Sequence, residues 1–117
     1  MPEHFFFYLG LTFILMHEMD AIRCKEWRIF PGLSFLSESK GKLIFIIVHF
    51  PLFLALLIGL QTINIATFSF YGNLFMIIHF VLHLLFLRHK NNEFKDALSW
   101  IIIIGSALCG MIDLIVL

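Results

Sequence analysis

His17, Glu18, Asp20, His49, His79 and His83 interrupt stretches of sequence that are otherwise apolar. Imidazoles and carboxylates together suit zinc, non-haem iron, manganese or copper. His79 and His83 stand at i and i+4, so on a helix they share a face and can chelate one ion. His17 and Asp20 are at i and i+3, and Glu18 is turned by about 100° from His17 but can still reach the edge of a shared site. The set predicts a metal site with His17, His49, His79 and His83 as nitrogen ligands and Glu18 or Asp20 as oxygen donors. So many donors allow two ions and a bridging water, which becomes a nucleophile near neutral pH. Glu18 or Asp20 then acts as general base, while the divalent transition metal, zinc or iron first, polarises a substrate oxygen. Haem fits less well. Its axial ligands face each other across the porphyrin, which His79 and His83 on one turn cannot do, although His49 and His79 could.

Other residues enter this chemistry less readily. His17-Glu18 starts like a zincin helix, but Ala21 stands where the second His would be. Glu26 on an unbroken helix would lie on the face opposite His17 and about 13 Å away, so it reads as an ion partner of Arg23 or Lys25. His4 and His89 read as exposed residues at the interfaces. Asp113 belongs to no cluster, with Ser106 or a neighbouring subunit as its available partners.

The elements that hold these side chains follow from charge and hydropathy. The chain has 117 residues, 61% hydrophobic and 14% charged. A soluble domain of this size could not hide so much apolar surface. All eight basic residues fall in two stretches, Arg23 to Lys42 and Arg88 to Lys95. Positive charge stays on the cytoplasmic side, so both stretches are expected to be cytoplasmic loops of an inner-membrane protein with both termini outside. A spanning helix needs roughly 20 apolar residues. Four fit, at about 5–22, 43–60, 72–87 and 96–117, making a single all-α, four-helix membrane domain with no cleavable signal peptide. Pro31-Gly32 stops the first helix, Ser37 or Ser39 caps the second, and Pro51 kinks it. The uncharged stretch 61–72 reads as an outer loop, and Trp27 and Trp100 as inner belt residues. Cys24 and Cys109 then lie near opposite faces, too far apart for a disulfide.

Counted from Arg23, Lys42 and Arg88, the imidazoles of His17, His49, His79 and His83 and the carboxylate of Glu18 lie roughly 8 to 14 Å into the membrane, at ~1.5 Å per residue. Three helices thus place ligands in one slab of the cytoplasmic half. Span four contributes no His, so the site is expected to be open on that side, as a substrate cleft would be. Net charge is zero and no basic face remains outside the loops, which excludes nucleic acid as a partner.

The segments His17-Glu18-Met19-Asp20-Ala21-Ile22, Glu26-Trp27-Arg28-Ile29-Phe30-Pro31 and His49-Phe50-Pro51-Leu52-Phe53, with His79 and His83, resemble a family of small four-helix prokaryotic membrane proteins of unknown function. The chain is also similar to the HXXEE integral-membrane family. His17 matches that pattern, and Asp20 and Ala21 occupy the places of its two glutamates. The resemblance implies fold and membrane location.

The residues together favour a metal-dependent membrane enzyme that takes a lipophilic substrate from the bilayer. Two rivals stand beside it. Intramembrane His and acids also form proton relays, as in a proton-coupled transporter, which four helices would build as a homo-oligomer. A non-catalytic subunit could instead use the polar layer as a structural core.

Overall fold

Long apolar runs make helices here, and short polar residues decide where three of the four start. The computed structural model describes residues 2–116, and the described residues are helical with no strand. Helix α1 spans Phe5–Arg23 and is followed by a single 3-10 turn, Glu26–Arg28. Helix α2 spans Glu38–Thr62 and α3 Ile65–Leu85, with a second 3-10 turn at Phe86–Arg88. Helix α4 spans Ala97–Val116. All four are long and apolar enough to cross a membrane. The long axis of 44 Å matches a bilayer of about 40–45 Å with its headgroups.

Caps fix the helix starts. Ser37 Oγ accepts the Lys40 N–H at 3.4 Å, Asn64 Oδ1 accepts the Ala66 N–H at 2.9 Å, and Asp96 Oδ1 accepts the Ser99 N–H at 3.0 Å. Each satisfies a backbone donor that the helix leaves free. The Asn64 cap corrects the outer loop expected over 61–72. Only Ile63 and Asn64 separate α2 from α3, because one capping side chain suffices to restart the helix.

The end of α1 departs from a continuous helix. Lys25 takes a left-handed backbone, φ 53°, and turns the chain back on itself. A non-glycine residue there is strained, and burial of Trp27 and Ile29 offsets the strain. Trp27 is thus a core residue rather than an interfacial one. It lies over α2 where Gly41 leaves room: a Cβ on Gly41 would come 2.9 Å from Trp27 Cδ1.

The bundle is apolar outside, and its interior mixes apolar clusters with buried polar groups. Phe50, Leu57, Leu85 and Ile115 are well exposed, whereas Ser69, Asn73, Met76, His79 and His83 form the buried face of α3. Lipid is the solvent that suits this arrangement. Helix α4 packs along both α1 and α3. At Gly110 its backbone comes so close to α3 that an added Cβ would meet the Asn73 carbonyl oxygen at 3.0 Å. Small residues permit this approach. Helix α2 stands apart. Its packing lies chiefly at its two ends, against Trp27 near Gly41 and against Phe68 near Gly59. The open side of the bundle therefore lies along α2. The expectation that span four leaves the site open is corrected, because α4 has the small and polar residues that allow close packing.

Candidate metal centre

His79 and His83 lie one turn apart on the buried face of α3, and His17 meets them from α1. The rings are edge to face, with centroids 4.3 Å apart for His17 and His79, 4.8 Å for His17 and His83, and 4.6 Å for His79 and His83. One nitrogen from each ring lies within 4.8 Å of the others, so the group could hold a metal ion. Nitrogens about 2.0–2.1 Å from a tetrahedral zinc ion lie about 3.4 Å apart, so the rings would draw closer together on binding one. Phe94 seals the side toward α4. Its ring stacks on His17 at 5.3 Å and meets His83 at 4.6 Å.

Hydrogen bonding sets this group apart. Both ring nitrogens of His17, both of His79, and Nδ1 of His83 are buried with no hydrogen-bond partner among the described residues. Leaving a buried polar atom unpartnered costs about 1–3 kcal/mol. Several in one place are a large cost unless something else satisfies them. A neutral imidazole offers one nitrogen as a metal ligand, so an ion would satisfy one nitrogen of each ring together.

Glu26 is the residue that helix spacing missed. Its Oε2 lies 3.3 Å from His17 Nε2, out of line for a hydrogen bond, since that nitrogen has none. A continuous helix would have put Glu26 on the far face. The reversal at Lys25 folds it back beneath His17 instead. The only signal in the sequence was Trp27, an apolar ring within a charged run that had to be buried somewhere.

The structure does not bring the other expected site residues to this group. His49 Nδ1 donates to the Phe45 carbonyl at 2.6 Å, and His49 Nε2 is bonded to Glu18 Oε2. Glu18 faces hollows beside α2 rather than the three imidazoles. Asp20 is committed elsewhere. Its Oδ1 accepts from Arg23 at 2.7 Å and its Oδ2 from Ser99 Oγ at 2.5 Å. Arg23 also reaches Asp96 at 3.0 Å, so Asp20 helps tie α1 to the start of α4. Hydrogen bonding to Arg23 holds the Asp96 carboxyl down at about 2, and the bond to Glu38 holds the Arg28 guanidinium above its ordinary range. Burial pushes the Cys24 thiol up.

At the end of the bundle that holds both termini lies a second buried polar group. His4 Nδ1 is 3.2 Å from Asp113 Oδ2 and 3.1 Å from Ser69 Oγ, and Asn73 Nδ2 donates to Asp113 Oδ2 at 2.8 Å. His4 is therefore buried, not interfacial, and Asp113 belongs to a cluster. Ser106 is not its partner, since its hydroxyl donates to the Ile103 carbonyl. Sequence distance hid this group, because His4 and Asp113 sit at opposite ends of the chain.

No curated protein and no solved structure matches the chain. The family of unknown function DUF6713 matches it over residues 3–117, and the chain belongs to that family.

Proposed function

We propose that this chain is a multi-pass protein of the cytoplasmic membrane that binds one divalent transition metal, zinc or iron, on His17, His79 and His83, and that it is a metal-dependent enzyme for a lipophilic substrate. The basic loops face the cytoplasm in this reading and both termini face outward. The observation that carries it is the convergence of buried imidazole nitrogens with nothing to bond. Glu26 supplies a carboxylate to the same ion or acts as the base beside it. Three His ligands leave a coordination position open, as in catalytic zinc sites. One ion takes the place of the two that the number of donors allowed, because His49 and Glu18 are paired with each other. We also read the chain as a prokaryotic relative of the HXXEE proteins on His17 and Asp20. With Asp20 engaged by Arg23 and Ser99, the shared element would be a helix end rather than a two-carboxylate site.

Two features weigh against the rivals. A structural polar core would hydrogen-bond its members, as the group around Asp113 does. A proton relay needs a connected path, and Phe7, Ile14 and Met76 form an apolar cluster between the two buried polar groups. The test is metal content by inductively coupled plasma mass spectrometry on purified protein. About one metal per chain is expected, retained in His49→Ala and lost in the His79→Ala/His83→Ala double variant. No stoichiometric metal in the wild type, even after reconstitution, would overturn the proposal.

A further inference from the structure

Between its two anchored ends α2 leaves a cleft against α1 and α3. Two adjoining hollows of about 530 and 470 Å³ share Leu15, Glu18 and Phe53 in their walls. Each falls within the range of about 300–1,000 Å³ typical of small-molecule sites. The lining is otherwise almost wholly apolar, and Leu15, Leu52 and Phe75 are open to the surroundings. An entering molecule would come sideways from lipid. The Glu18–His49 pair is the polar feature common to the cleft: Glu18 lines both hollows and His49 lines the second.

The state of the pair follows from its bonds. The Phe45 carbonyl can only accept, so His49 Nδ1 carries a hydrogen. The contact between His49 Nε2 and Glu18 Oε2 needs a hydrogen of its own. That hydrogen resides on Glu18, leaving two neutral groups, or on His49, leaving opposite charges that cancel. The pair is net neutral in both arrangements. Glu18 Oε1 makes no hydrogen bond among the described residues and is not sealed from the cleft. It is an acceptor at the middle of an apolar groove.

We infer that this cleft is a binding site for a neutral long-chain amphiphile with a single hydroxyl head, which donates to Glu18 Oε1 while its hydrocarbon tail fills the hollows. An anionic head would bring an unpaired charge into an apolar cleft whose lining holds no free cation. A plain hydrocarbon would leave Oε1 unbonded. The site gives the lipophilic substrate proposed above a place and a head-group chemistry, and its catalytic meaning rests on that reading. Phe75 in the cleft wall stacks on His79 at 5.7 Å, so the cleft adjoins the metal group. Binding of the amphiphile does not require the metal.

The probe is a photoreactive analogue of cetyl alcohol, crosslinked to the protein in lipid nanodiscs and mapped by mass spectrometry. Labelling is expected on the cleft walls near Leu15, Phe53 and Phe75. Unlabelled cetyl alcohol should compete about tenfold better than hexadecane, the worth of one good hydrogen bond, and better than palmitate. In Glu18→Leu/His49→Leu, which removes both partners and strands neither, labelling should persist while the preference for alcohol over hexadecane disappears. Equal competition by hexadecane in the wild type would mean a groove for lipid tails and would overturn the inference, as would preference for palmitate. The same experiment on His79→Ala/His83→Ala separates this idea from the metal proposal. Alcohol preference should survive there, so either proposal can fail alone.

Discussion

The buried face of α3 carries two polar groups with opposite characters. Toward the termini, Ser69 and Asn73 join His4 and Asp113 in a network in which Asp113 Oδ2 receives two partners and Ser69 bonds both His4 and the Ala66 carbonyl. One atom there, Asn73 Oδ1, lacks a partner. Toward the basic loops, His79 and His83 meet His17, and nearly every ring nitrogen lacks one. Burial is alike in the two groups. Satisfaction is what differs, and it separates a group that already stabilises the fold from one arranged to receive something. The sequence pattern alone, Ser69, Asn73, Met76, His79 and His83 at steps of three and four, does not distinguish them.

The largest expected effect breaks or keeps this contrast directly. Asp113→Leu strands His4 and Asn73 in the interior, and each buried polar group left without its partner costs about 1–3 kcal/mol. His79→Leu, in protein treated with a chelator, removes unpartnered nitrogens and replaces them with an apolar group of similar bulk, so stability should hold or rise. Unfolding in detergent as a function of denaturant measures both. Equal destabilisation by the two changes would make the imidazoles ordinary core residues and end the comparison.

Glu26→Gln sharpens the receiving side. It keeps the size of the side chain and removes its charge. Loss of a supporting group beside a metal ligand typically weakens metal affinity about 10–100-fold. Metal-free stability should stay within about 0.5 kcal/mol, as for surface changes generally, since Glu26 makes no hydrogen bond to His17. Competition against a chelator of known strength reads the affinity. An unchanged affinity would place Glu26 outside the site and leave three imidazoles as the whole donor set.

These effects also show what sequence patterning could and could not convey. Four helices were legible because each needs only a long apolar run. His79 and His83 were legible as a pair because one helical turn relates them. His17 joined them through depth. Depth, however, is a single coordinate: it put His49 and Glu18 in the same slab and could not reveal that they face α2. Glu18 neighbours His17 in sequence, and its turn of about 100° sends it to a different partner. Glu26 was invisible for another reason. Its place depends on a left-handed Lys25, a conformation that sequence favours at glycine and not at lysine. The network at Asp113 depends on α4 lying against α1, which makes neighbours of His4 and Asp113.

The smallest effect belongs to a third polar group, satisfied like the first but exposed. Asp96 sits at the start of α4 and holds Arg23, which also holds Asp20. Both Arg23 and Asp96 are about half open to solvent, so screening limits what their bond contributes. Its acid dependence is still distinctive. The bond lowers the Asp96 carboxyl from 3.8 to about 2. A carboxyl with a folded value below its unfolded one adds stability that is complete above the unfolded value and disappears as pH falls through the folded one. The stability difference between wild type and Asp96→Asn should therefore be constant above pH 3.8 and close as pH falls to about 2. Thermal unfolding of the two proteins side by side reads that difference while cancelling the titration of other acids. A difference that persists below pH 2 would show that the charge of the Asp96 carboxylate is not its source, since Asn caps a helix as well as Asp. The Arg23 bridge would then be a consequence of helix packing and not one of its causes.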